Sequence, residues 1–409
     1  MFRSTFETMR QLFKRLLNLM ERPILVDVNE AVSIIKNNDR IYVHGIANTP
    51  LFLLNALAKR TELRNVELMH LHLESDNPCS HPSLRESFKI INLFVGHFER
   101  EHVRSGRNVT IPIFLSEIPK LMRSGRVAPN VAFLNVSPPD RHGYCSLGTE
   151  VACSFPATQV VHTIVAQVNK FVPRTHGDTM IHYSKLNYVV EKDEKLPFSA
   201  IKKSSKVDMQ IGHHIASLIK DGSTLQMGIG SIPNAVLDSL KNHKNLGIHT
   251  EMFMDNLIPL IESGIVNNSK KNFLKGKTLT SFVMGTQKLF DFVNDNPMVQ
   301  FLDSSITNDP IIIARNPQVI AINSAVEVDL SGQVCADSIG HKIISSVGGQ
   351  IDFERGAAMA QDGSFYDSYR CSDHYNAFHN KRWKIKNCFI STSGCWSCDN
   401  KGTYALGCY

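Results

Sequence analysis

At 409 residues, 43% hydrophobic and 20% charged, the chain is long enough to bury a sizeable core and is expected to divide into two domains. No apolar run approaches the length of a bilayer span, so no membrane partner is expected. The net charge of +6 is mild for this size and no dense Lys/Arg run with interleaved aromatics is present, which sets nucleic acid aside and suits a small anionic ligand.

Residues 1–22 carry Phe2, Phe6, Met9, Phe13, Leu16 and Met20 at helical spacing, with Arg3, Arg10, Lys14 and Arg15 between them. A basic amphipathic helix of this kind has the character of a mitochondrial targeting segment, with Glu7 as the one imperfection; the other reading is a surface helix of a cytoplasmic protein. From residue 23 strands and helices alternate. Arg40 to His44 reads as a strand, Thr49 to Arg60 as a helix opened by Pro50, Val66 to Leu73 and Ile90 to Val95 as strands. Phe114 to Arg123 reads as a helix, and Val131 to Val136 and Val160 to Val168 as strands. The pattern predicts a largely parallel sheet covered by helices. A second round follows, with a helix from Val207 to Lys220 and strands at Thr224 to Met227 and Asn245 to His249.

Two places match. Gly45 precedes Pro50 by five residues, with Leu54 and Leu57 beyond, and Gly228 precedes Pro233 by five, with Leu237 and Leu240 beyond. Each sits in a strand, glycine turn and proline-started helix, so the chain is expected to be a duplicated α/β domain.

The stretch LQMGIGSIPNAVLDSLKNHKNLGIHTEMFMD, residues 225 to 255, carries the chemistry. GIGSIP lacks the spacing of a dinucleotide fingerprint and by itself marks a tight turn. Glycines at a strand-to-helix turn also leave backbone N–H groups free for an anion or a developing oxyanion. Glu251 falls just past the next strand, on the edge where open α/β sheets bind ligands. A second pair, Gly348 and Gly349 in SSVGGQIDFERG, again offers open backbone amides. The turn-rich VSPPDRHGYCSLG and PRTHGD segments read either as plain loops or as ligand-holding ones. His142, His176 and His182 lack metal-ligand spacing, so no metal is expected.

The segments NVSPPDRHGYCSLG, PRTHGDTMIH, LQMGIGSIPNAVL, LGIHTEMFMDNL, SSITNDP, INSAVEVDLSGQVCADSIG and GGQIDFERGA together resemble the acetyl-CoA hydrolase/transferase family, which includes 4-hydroxybutyrate, butyrate and succinyl-CoA:acetate CoA-transferases. The resemblance runs from about residue 25 to Gly363. It implies two open, mainly parallel α/β domains of the CoA-transferase type, over residues 23–205 and 206–363. It implies that Glu251 is the nucleophile, that the amides of Ile229 and Gly349 form the oxyanion hole, and that Asn308 joins the site. The stretch Gln226, Met227, Gly228, Ile229 and Gly230, together with Val326, Gly348 and Gly349, would contact CoA. The implied reaction moves CoA between an acyl-CoA and a small carboxylate such as acetate through a glutamyl-CoA thioester, with no permanently bound cofactor and a homodimer or larger assembly. The same glutamate would serve a hydrolase.

The tail departs from the family. Five of nine cysteines and both tryptophans lie in residues 371 to 409, including Cys395 and Cys398 as C-W-S-C. Back-translating CWSCDNKGTYALGCY and shifting one base forward can give AGVVTTRAHTHWVVT, and SDHYNAFHNKRWKIKNCF can give PIIIMPSTTKDGKSRIVS, both resembling the family's continuation in the right order. Residues 364–409 are therefore expected to be an out-of-frame replacement of the second domain's final strands. The chain as written would then be a truncated enzyme with exposed strand edges, or an inactive remnant.

Two measurements check these expectations. Residues 1–22 fused to a reporter should carry it into mitochondria, and a cytosolic reporter would refute the targeting reading. The transcript across codons 363 to 372 should show a one-base discontinuity; an uninterrupted message together with a soluble, active 409-residue product would refute the frameshift.

Overall fold

The computed structural model describes residues 23–199, 204–228, 230–328 and 333–369, and the backbone of 388–391 and 396–398. Residues 1–22, most of residues 364–409 and Ile229 lie outside the described residues.

Eight strands form the first sheet: β1 Ile24–Leu25, β2 Arg40–Val43, β3 Val66–His70, β4 Phe88–Asn92, β5 Asn108–Thr110, β6 Val131–Val136, β7 Thr163–Val168 and β8 Tyr188–Glu191. Their order is β1-β8-β7-β6-β2-β3-β4-β5, and every pairing is parallel. Strands covered on both faces are apolar throughout rather than alternating, and β6, VAFLNV, is buried at all six positions.

A second sheet holds β9 Thr224–Met227, β10 Gly247–Ile248, β11 Val319–Ala325, β12 Ser364–Tyr369, β13 Cys388–Ser391 and β14 Trp396–Cys398, in the order β10-β9-β11-β12-β13-β14. The first four run parallel and the last two are antiparallel additions. The duplication is visible in the pairing. β2 lies between β3 and β6 as β9 lies between β10 and β11, and each central strand leads into a helix, α1 Leu51–Leu57 and, with α2 Arg100–Arg104 and α3 Lys206–Leu218 intervening, α4 Ser231–Ser239. Helix α3 is closed by a reciprocal capping box of Ser205 and Asp208, and its Gly212 lets the backbone of Ala235 in α4 pass where a methyl group would collide.

Several expected elements shift at their ends. Pro50 caps α1 instead of opening it, and Pro233 is the third residue of α4, since Gly230, at φ 129°, already starts that helix. The run beginning at Val160 is not one strand: Ser154–Val160 is helical and β7 starts at Thr163. A short apolar run carries no period that separates buried helix from buried strand. The expected helix at Phe114 begins only at Leu115, as a 3₁₀ turn, because the Phe114 backbone pairs with Gly348.

The two halves are stitched at several places. Residues 149–151 and 281–283 exchange backbone bonds, Val151 N–H to Ser281 and Val283 N–H to Thr149, both 3.0 Å. His176–Gly177 adds a parallel strand beside Val299–Phe301, which pairs with Thr278–Thr280. These seams bring the carboxyl edges of both sheets to one cleft.

Candidate active site

Glu251 is the third residue after β10, at the carboxyl edge of the second sheet. Its main chain is pinned by its neighbours: the Glu251 carbonyl accepts from the N–H groups of Ser281 (2.9 Å) and Phe282 (3.2 Å) and from Thr280 Oγ1 (3.0 Å). The residue is half-buried, and among the described residues its carboxylate has one hydrogen bond, from Asn308 Nδ2 to Oε2 at 2.9 Å. Burial therefore outweighs stabilisation. Loss of hydration pushes the carboxyl pKa up to about 7; the Asn308 bond opposes this, Asp352 adds to it, and His72 opposes it.

Asn308 closes the short helix α5 Ser304–Thr307. Its placement depends on His249, which is buried two residues before Glu251. Nε2 of His249 lies 2.8 Å from the carbonyl of Thr307, and Asn316 Nδ2 lies 3.1 Å from Nδ1. Burial and the nearby Lys271 push His249 down to about 3, so the ring is neutral, donating from Nε2 and accepting at Nδ1. Lys271 is itself buried and hydrogen-bonds the carbonyls of Ile248 (2.8 Å) and Lys277 (2.7 Å). The strand that delivers Glu251 and the helix that delivers Asn308 are thus locked together from behind.

The third side of the carboxylate is Gly349, which precedes α6 Gln350–Met359. A Cβ there would stand 1.8 Å from Glu251 Oε2 and 2.2 Å from Asn308 Nδ2, so no other residue fits. The Gly349 N–H donates to no acceptor among the described residues, and its helix-start position favours negative charge. Gly348, at φ 60°, makes the turn, with the Phe94 ring against it. This loop is held by the first half of the chain. Leu115 N–H donates to the Gly348 carbonyl (2.9 Å), and Ser116 donates from N–H (3.1 Å) and Oγ (2.8 Å) to Asp352. Desolvation raises Asp352 to about 6 against the Ser116 bonds.

The other expected contacts are more dispersed. Gln226 is buried in the sheet, accepting from the N–H of Ile322 (3.1 Å) and donating to Asn323 (3.2 Å). Met227 is buried beside it, and Gly228 N–H bonds the Ile322 carbonyl at 2.8 Å. Gly230 lines the cleft, whereas Val326 lies on a hairpin, its N–H bonded to Cys335. Ile229 is outside the described residues. The structure thus brings Glu251, Asn308 and Gly349 together, with Gly348 behind them.

At Met252, the residue after Glu251, opens a cleft of ≈ 280 Å³, with Phe94, Met252, Met254 and Met284 as its apolar wall and His72, Glu74 and Arg100 among its polar groups. Sequence reasoning passed over His72, Asp352 and Ser116. Only His72 left a trace, in the alternating histidines of HLHLES at the end of β3; Ser116 and Asp352 lie 236 residues apart and no local signal joins them.

The geometry can support nucleophilic catalysis by a carboxylate. One oxygen is held by an amide, an open backbone N–H lies alongside, and a partly apolar cleft limits water. Replacing Asn308 by Ala removes the bond that holds the Glu251 pKa down. A carboxylate attacks only when ionised, so with Glu251 in that role activity is lost as pH falls through its pKa, and in N308A this acid limb should move to higher pH by about one to two units. A pH profile of kcat/KM checks it; an unmoved limb would mean that Asn308 does not control the charge on Glu251.

The comparisons with known proteins agree with this architecture. Residues 21–201 match the acetyl-CoA hydrolase/transferase N-terminal domain, and residues 285–371 match the C-terminal domain of the same family. The 4-hydroxybutyrate coenzyme A transferase of Clostridium kluyveri is 43% identical over 340 residues, 83% of this chain and 79% of that protein. A succinyl-CoA:acetate/propanoyl-CoA:succinate CoA transferase of Fasciola hepatica is 43% identical over 339 residues, 82% of this chain and 70% of its own. The crystal structure of 4-hydroxybutyrate CoA-transferase from Porphyromonas gingivalis superimposes with a TM-score of 0.72 at 33% identity, covering 87% of this chain and 81% of that one. That of RipA from Yersinia pestis gives 0.77 at 30% identity, over 84% and 80%. Two matched domains and similarity over four-fifths of the sequence make this chain a member of the acetyl-CoA hydrolase/transferase family.

Proposed function

We propose that the protein is a CoA-transferase that moves CoA between an acyl-CoA and a small carboxylate, acetate and succinate among them, by way of Glu251. The single observation that carries this is the carboxylate of Glu251 held by Asn308 with the backbone of Gly349 packed close against both. The names of the relatives support the reaction class, since they act on 4-hydroxybutyrate, succinate, propanoate and acetate.

A Glu251 oxygen attacks the thioester carbonyl and expels CoA as thiolate, leaving a mixed anhydride. The thiolate then attacks the glutamyl carbonyl of that anhydride, and the acyl group departs as its carboxylate. The enzyme is left as a glutamyl-CoA thioester. An acceptor carboxylate attacks the same carbonyl and releases the thiolate, which takes the acyl group from the new anhydride and restores Glu251. No proton is transferred in the sequence. A carboxylate is a weak nucleophile, so position and oxyanion donors must supply the rate; fixed geometry can contribute roughly 7–11 kcal/mol. The raised Glu251 pKa assists, because a desolvated carboxylate is the more basic nucleophile. Capture of either intermediate by water would make the same site an acyl-CoA hydrolase. Adding acetate or succinate to the assay separates the two, since only a transferase forms a new acyl-CoA.

Hydroxylamine added after acetyl-CoA or succinyl-CoA should convert Glu251 alone to a hydroxamate, found by peptide mass spectrometry, and abolish turnover. Acyl-CoA consumption with Glu251 unmodified would overturn the mechanism.

A further inference from the structure

The cleft that begins at Met252, next to Glu251, holds polar groups that the reaction steps do not use, and its two carboxylates already have partners. Glu74 is 3.4 Å from His72 Nε2 and 3.4 Å from the hydroxyl of Ser199. Asp255 accepts from the N–H and hydroxyl of Thr286, closing the helix Gln287–Val293. Arg100 differs. It is the first residue of α2, half-buried, and its Nε donates to the carbonyl of Ile344 at 2.7 Å. That bond fixes the plane of the guanidinium without using its two terminal nitrogens, which form no ion pair or hydrogen bond among the described residues. Because Arg100 also lines the cleft, a fixed and unneutralised fork of donors borders a space whose wall is Phe94, Met252, Met254 and Met284.

A guanidinium fork matches a carboxylate in geometry and charge, and it binds most strongly where water is partly excluded. At about 30 Å³ per water, the cleft has room for roughly nine waters, enough for a short acyl chain. We propose that Arg100 is a specificity-determining residue that binds the distal carboxylate of a dicarboxylic acyl group, of which succinyl is the simplest, while the methionine and phenylalanine wall packs on the methylenes. This deepens the CoA-transfer reading and rests on it. The acyl group is then held at both ends, by Glu251 at the thioester carbon and by Arg100 at the free acid. A monocarboxylic acyl group of equal length meets only the apolar wall and leaves the guanidinium to solvent.

The test uses the full chain carrying Glu251→Gln, in which no turnover obscures binding, titrated calorimetrically with succinyl-CoA and with butyryl-CoA. The two esters share the whole CoA moiety, so their affinity ratio isolates the terminal group. Adding Arg100→Met should weaken succinyl-CoA about 10- to 100-fold, the range of one hydrogen-bonded charge pair, and leave butyryl-CoA within about twofold. Unchanged butyryl-CoA binding also shows that the cleft has kept its shape. Arg100→Lys should restore part of the preference, since it keeps the charge and loses the fork. Equal weakening of both esters, or no change in either, overturns the role of Arg100 while leaving the CoA-transfer reading in place. Failure of both esters to bind the Glu251→Gln chain overturns that reading and this one with it.

Discussion

Everything near the site is arranged around a carboxylate that has lost most of its water and gained a single hydrogen bond in return. Glu251 would be costly to bury anywhere. The cost is tolerated here because each neighbour is placed to leave the charge usable rather than to neutralise it. Asn308 gives one N–H without a proton to transfer, Gly349 comes close enough to exclude any side chain, and no cation pairs directly with the carboxylate among the described residues. An arginine in place of Asn308 would hold the charge better and blunt the nucleophile. The cluster around His249 and Lys271 follows from the same need, since it fixes the strand carrying Glu251 and the helix carrying Asn308 without bringing a positive charge to the carboxylate itself.

Much of the fold could be read from the residues because parallel strands write an unmistakable pattern. Buried runs such as VAFLNV, punctuated by glycine turns and proline-started helices, leave few alternatives, and the repeat of Gly45–Pro50 at Gly228–Pro233 anticipated the matching strand order of the two sheets. The errors fell where local pattern is silent. Phe114 looks like the start of a helix, and in isolation it would be one; a backbone bridge to Gly348, over two hundred residues away, pulls it straight. Val160 ends a helix instead of starting a strand, for want of any clear period in the run VVHTIVAQV.

The site was legible by a different route. Glu251, Asn308 and Gly349 sit in three segments whose individual motifs are weak, and only their ordered similarity to a family linked them. Composition and spacing alone placed a carboxylate and two glycine turns at sheet edges and went no further. What similarity did not reach were the supporting groups, His249, Ser116 and Asp352, because their roles are to hold other residues and their partners are remote in sequence. Gln226 shows the converse: a residue in the right motif whose side chain is spent joining strands.

The bonds from Leu115 and Ser116 to Gly348 and Asp352 have a further bearing, on how the molecule comes into being. Contacts of such sequence separation require closure of a very long loop and form slowly relative to local structure. During synthesis Glu251 emerges about a hundred residues before the glycine loop that packs against it, so a nascent chain carries this carboxylate without its enclosure. The candidate site is therefore complete only once the two halves of the chain have met.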